Sequence, residues 1–118
     1  MKKRHERLYL ADMLDSINAI ETYIAGVSFE EFCGDPMRQD AVVRRMEIIG
    51  EASRHLSREL IRRHPGMPWP DIIGMRHKLT HDYFDVQLRI VWDTARKSLP
   101  PLKAWLVEVL KAEPPAET

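Results

Sequence analysis

Residues 36–63 read PMRQDAVVRRMEIIGEASRHLSRELIRR, and the spacing of the apolar side chains in this stretch decides the fold class. Val42, Met46, Ile49, Leu56 and Leu60 follow one another at steps of four, three, seven and four, with Ser53 in the remaining slot. A period near 3.6 puts them on one face of a helix, and the alternation that a half-buried strand needs is missing. The pattern predicts one helix from Pro36 to about Arg63, the longest in the chain, with Asp35 as N-cap and Pro36 in its first turn. A seam this regular suits the centre of a helical bundle or a dimer interface. Gly50 falls mid-helix, where glycine costs about 1 kcal/mol against alanine, and a backbone can approach closely there.

Helical spacing continues outward in both directions. Toward the N-terminus, Leu10, Leu14, Ile17 and Ile24 share a face and Gly26 is a natural stop. Ser28 with Glu31 has the form of a capping box for a short helix carrying Phe29 and Phe32. Toward the C-terminus, His64-Pro65-Gly66-Met67-Pro68-Trp69-Pro70 reads as a loop. Pro70 can open a fourth helix through Ile72, Ile73, Met75 and Leu79 to about Asp82. Asp85 would cap a fifth with Val86, Ile90, Val91 and Ala95 inward, and Leu99-Pro100-Pro101 would break it. A sixth carries Leu102, Trp105, Leu106 and Val109. Trp69, Trp92 and Trp105 all lie beside apolar positions, which favours core over base-stacking platforms. The expected architecture is all-α, a single domain over residues 1–112 built round one long central helix, with residues 113–118 a disordered tail.

Composition narrows the classes of function. Lysine plus arginine equals aspartate plus glutamate at 18 each, so nucleic-acid binding would need a local basic patch. Cys33 is alone, which rules out an internal disulfide. The opening MKKRHERLYLADMLDSI has no apolar run behind its basic start, because Asp12 and Asp15 interrupt it, and so does not read as a signal peptide. No stretch has the 18 or so apolar residues of a membrane helix. The expected location is the cytoplasm.

Chemistry concentrates in residues 74–84, GMRHKLTHDYF, which crowd Arg76, His77, Lys78, His81, Asp82 and Tyr83 together. Three readings compete. A metal could use His77 and His81 at helical spacing with Asp82 or Asp85, but Arg76 and Lys78 would repel it and no further ligand set is recognisable. The residues could equally be a solvated helix face, which accounts well for Lys78 and less well for His81 beside Tyr83. The third reading is RNA cleavage by the 2′-hydroxyl. Histidine can move the protons, and arginine presents a planar fork of donors to phosphate oxygens. One chain offers a single evident histidine for a reaction with two proton transfers, and a symmetric dimer would supply the second.

Arg76, four residues, His81, one residue, Tyr83 matches the R-x4-H-x-Y motif of the HEPN superfamily and resembles its HepT-like ribonuclease toxins. The likeness extends through DAVVRRMEIIGEAS (40–53), PWPDIIGMRHKLTHDYF (68–84), VWD (91–93) and LPPL (99–102), spanning residues 5 to 110. The resemblance implies a metal-independent endoribonuclease without cofactors, acting as a homodimer with Arg76 and His81 at the interface. The RNA could be tRNA. It also implies a partner antitoxin, a minimal nucleotidyltransferase that attaches AMP to Tyr83. The family commonly has asparagine after the arginine, and this chain has His77. HEPN domains that only bind a nucleotidyltransferase or a nucleotide form the competing class.

Residues outside the motif carry two readings each. His77 and Lys78 are candidate RNA contacts or spectators. Glu47 and Glu51 share a face flanking Gly50, where they could orient Arg76 or His81 or else pair with local arginines. Arg54, Arg58 and Arg62 stand four apart, either as a rail for RNA or as a solvated face balanced by Glu51 and Glu59.

Overall fold

Among the described residues the longest element is the first. In the computed structural model, which describes the backbone of residues 2–73 and 85–112 and the side chains of 5–72 and 88–112, α1 runs over Lys2–Ile24, 23 residues. Leu10, Met13, Ile17, Ile20 and Ile24 are buried along it and Leu14 packs at their edge, so the inward stripe is wider than four residues. Gly26 ends it with φ at 72°, a left-handed turn that glycine adopts without steric cost.

α2 (Phe29–Cys33) starts with the expected capping box. The Glu31 amide donates to Ser28 Oγ at 3.0 Å, and the Ser28 amide donates to Glu31 Oε1 at 2.9 Å. α3 (Pro36–Ser53) opens on Asp35, whose carboxylate accepts from the Arg38 amide at 3.1 Å. Pro36 sits in the first turn, where its missing N–H costs nothing.

The single helix expected from Pro36 to Arg63 does not form. α3 stops at Ser53 after 18 residues, and α4 (Arg58–Arg63) starts afresh. Local polar groups outcompete continuation at this point. Ser53 Oγ donates to the Gly50 carbonyl at 2.8 Å, and the amides of Arg54, His55 and Leu56 bond three residues back rather than four. Ser57 then acts as N-cap, its Oγ accepting from the Leu60 amide at 3.1 Å, and its own amide donates to the Glu6 carboxylate on α1. A capping serine contributes roughly 1 kcal/mol, enough to fix a break in so short a stretch. The apolar seam survives, with Val42, Met46, Ile49, Leu56 and Leu60 all buried and Ser53 buried in its slot.

After the proline loop, α5 covers Trp69–Ile73, one residue ahead of the expected start, with Pro70 in its first turn. The expected continuation through Met75 and Leu79 to Asp82 lies outside the described residues, as does the tail 113–118. α6 spans Asp85–Asp93, with Leu88, Val91 and Trp92 turned inward while Ile90, expected among them, is 39% exposed.

The break expected at Leu99-Pro100-Pro101 is absent too. A π-helical segment, Thr94–Ser98, leads directly into α7 (Leu99–Ala112). The Leu99 amide donates to the Thr94 carbonyl, five residues back, and the prolines fall in α7's first turn, where no amide is needed. Leu102, Leu106 and Val109 are buried as expected.

α3 packs against α1, α2, α5 and α6, and α7 closes on α1. Its role is central although its length is not the greatest. Trp69 and Trp92 are buried and Trp105 partly so, with the Trp69 and Trp105 rings meeting edge to face at 5.1 Å. Among the described residues there is no strand. The class is all-α.

Candidate functional site

Arg76, His77, Lys78, His81 and Tyr83 lie outside the described residues. What the fold supplies is their setting. α5, which ends at Ile73, and α6, which begins at Asp85, both pack against α3, so the helices on either side of residues 74–84 in the sequence rest on one helix.

Glu47 and Glu51, the two carboxylates expected to share a face of that helix, do so. They line a groove of about 270 Å3 between α1 and α3, together with Tyr9, Asp12, Arg44 and His55. Glu47 takes its local arginine, with Arg44 Nη1 3.7 Å from Glu47 Oε1. Glu51 Oε2 lies 3.2 Å from His55 Nε2, one helical turn on. The outer wall is aromatic: the His55 and Tyr9 rings stack with centroids 4.6 Å apart and planes only 11° from parallel.

His55 and Tyr9 are the residues that reading the sequence missed. His55 left a usable signal, the four-residue step from Glu51 that puts an imidazole and a carboxylate on one helical face. Tyr9 left none, since its place depends on how α1 lies on α3. Each of these carboxylate contacts has a solvent-exposed partner and is worth about 0–1 kcal/mol, so they add little to stability. The groove presents carboxylate acceptors beside a flat ring, groups suited to the edge and face of a nucleobase.

Arg54, Arg58 and Arg62 are all exposed, but the break between α3 and α4 divides them, so they form a corner instead of one helical stripe. Arg63 joins them at the end of α4. Among the described residues no group of three or more metal-ligating side chains occurs, and no helix is long and apolar enough to cross a membrane.

The sequence profile described as "Ribonuclease HepT-like" matches residues 13–109, from the middle of α1 almost to the end of α7. The chain belongs to the HepT-like ribonuclease family. Three relatives agree over most of their length. "Putative RNase TTE0752" of Caldanaerobacter subterraneus subsp. tengcongensis is 42% identical over 107 residues, covering 91% of this chain and 96% of that protein. "Probable ribonuclease HepT" of Thermococcus cleftensis is also 42% identical, over 101 residues, 86% of this chain and 92% of the relative. At 33% identity over 103 residues, "Putative RNase MJ1380" of Methanocaldococcus jannaschii covers 87% of this chain and 94% of its own. No solved structure matches. The HepT-like match spans α3, α5 and α6, the three elements that frame the motif segment.

Proposed function

We propose that this chain is a metal-independent endoribonuclease, the toxin of a toxin–antitoxin pair acting in the cytoplasm. The observation that carries this reading is family membership over residues 13–109 with Arg76, His81 and Tyr83 all present at R-x4-H-x-Y spacing inside that span. In the reaction, a base takes the proton from a ribose 2′-hydroxyl and the oxygen attacks the adjacent phosphorus. The P–O5′ bond breaks and the leaving oxygen is protonated, giving a 2′,3′-cyclic phosphate and a free 5′-hydroxyl. His81 is the proton-transfer group, and Arg76 holds the charge that builds on the phosphorane oxygens. A homodimer brings two copies of each to one cleft, so that one histidine accepts a proton while the other donates.

Control is by a minimal nucleotidyltransferase that places AMP on Tyr83. Each AMP adds a negative phosphodiester and a bulky base beside a site meant for RNA phosphate. It pairs with Arg76, fills the substrate's place and repels the incoming backbone.

RNA cleavage in the presence of EDTA tests the chemistry, with tRNA among the substrates tried. Arg76→Ala and His81→Ala should each lose about 100-fold or more in rate. Undiminished cleavage in either variant, or loss of activity on adding EDTA, counts against the mechanism. If the wild type cleaves nothing yet binds the nucleotidyltransferase, the chain is a binding module instead. Intact-mass spectrometry after incubation with the antitoxin and ATP tests the control. Tyr83→Phe should gain no AMP, and a gain equal to that of the wild type would put the acceptor elsewhere.

A further inference from the structure

The four arginines at the corner between α3 and α4 differ from four others in the body of the protein, although Arg45 in α3 likewise has no carboxylate or ring partner among the described residues. Arg38 is held by Asp35 at 3.2 Å and Arg44 by Glu47 at 3.7 Å. Arg89 sits 3.8 Å above the Phe29 ring and reaches Asp93 at 3.9 Å, and Arg96 lies over Trp92. Arg54, Arg58, Arg62 and Arg63 are exposed, and none has a carboxylate or ring partner among the described residues. Against these four arginines residues 54–63 hold one exposed carboxylate, Glu59, so the corner is net positive in a chain with equal numbers of acids and bases.

Helix stability explains part of it. Arg54 follows the last turn of α3, and Arg62 and Arg63 lie in the last turn of α4, where cations meet exposed carbonyls favourably. Arg58 has no such reason, because it is the first residue of α4, at the end where a cation is disfavoured. Arg58 and Arg62 are one helical turn apart and present their guanidiniums on one side of α4.

Beside this corner stands the stacked ring pair. His55 immediately follows Arg54, its side chain is 46% exposed, and its inner face is taken by Tyr9. An exposed imidazole fixed flat by a ring beneath it is a platform on which one more ring can stack. Asp12 in the adjoining groove is an acceptor for base N–H groups. Free guanidiniums for phosphates next to a stacking face with a base-edge acceptor are the elements of single-strand recognition.

We infer that the α3–α4 corner, with the Tyr9–His55 stack, is a binding site for single-stranded RNA built from residues outside the motif segment. Arg54, Arg58, Arg62 and Arg63 take the backbone, and His55 takes a base. This rests on the ribonuclease reading and adds to it a place where the flanking strand is held. The duplex form fits worse, since its bases are stacked within the helix and unavailable to His55.

The test uses the wild-type chain and a fluorescent single-stranded 2′-O-methyl RNA, which lacks the attacking hydroxyl and so cannot be cut by that route. Anisotropy is followed across a salt series. Arg58→Gln/Arg62→Gln should weaken binding at least tenfold in low salt. The slope of log K against log salt should flatten by about 1.4, at roughly 0.7 for each phosphate no longer neutralised. Lys97→Gln, which removes an exposed cation on the π-helical segment, should move neither quantity. His55→Ala should weaken binding and His55→Phe should restore it. Should the first pair fail to fold, as judged by circular dichroism, Arg54→Gln/Arg63→Gln carries the same prediction. Binding unchanged in the arginine variants, an equal loss in Lys97→Gln, or equally tight binding of the duplex would each overturn the inference. Cleavage assays on Arg76→Ala and His81→Ala keep the two readings apart. If those variants cut RNA normally while the corner variants lose binding, the corner stands and the proposed chemistry falls.

Discussion

The two ends of α3 handle polar groups in opposite ways. At its start, Asp35 caps the helix and pairs with Arg38, while Gln39 Nε2 donates to the carbonyls of Phe32 and Cys33 at 2.8 and 3.1 Å. Asp35 and Gln39 there serve the junction with α2. At its finish, the chain turns through Arg54–Leu56 and exposes arginines that close no junction. Between the ends runs the buried seam, from Val42 to Ile49, shared by both. The contrast teaches that stability is concentrated in the seam and the first junction, and that the corner is free to face something else.

Substitutions can break or sharpen that contrast. The largest effect on stability should come from the seam. Ile49 is fully buried, so Ile49→Ala should cost roughly 2–5 kcal/mol, read as a lower midpoint in urea unfolding. A loss below about 1 kcal/mol would mean that the seam is not where the fold is held. Ser57→Ala removes the cap of α4 and should cost about 1 kcal/mol by the same measurement. A loss as large as that of Ile49→Ala would show that the corner is a structural joint and undo the division of roles. The smallest effect is expected for Arg58→Gln/Arg62→Gln, within about 0.5 kcal/mol of wild type, as for surface changes that touch nothing. Marked destabilisation would mean these arginines have partners that matter to the fold.

How much of this was legible in the sequence varies by kind of signal. Burial was legible almost throughout, because the apolar period marks an inward face whether or not the helix is continuous. Leu56 and Leu60 stay in the core although the helix beneath them breaks. Local polar chemistry was legible at two helix starts, the Ser28–Glu31 capping box and Asp35, but not at Ser57, although its cap on the Leu60 amide is just as local. The break at 54–57 was missed because half of its cause lies 51 positions away, in the Glu6 carboxylate. The missing break at Pro100 was misjudged for a different reason. A π turn lets the second helix begin at Leu99, and periodicity carries no sign of such a turn. For the site, the motif and the pair Glu47 and Glu51 stood out by spacing, whereas Tyr9 reached the groove only through tertiary packing.

The bond from the Ser57 amide to Glu6 has a use beyond holding the corner. That amide looks like the first of a helix, yet its acceptor belongs to the start of α1. Its hydrogen-exchange rate therefore reports on docking between the beginning and the middle of the chain, and hardly on the helicity of α4. A local opening that peels the first turns of α1 away should release the Ser57 proton while the Leu60 amide, tied to Ser57 Oγ at 3.1 Å, stays protected. Nuclear magnetic resonance would thus see fraying of the N-terminal turns as one fast-exchanging proton in the interior of the sequence.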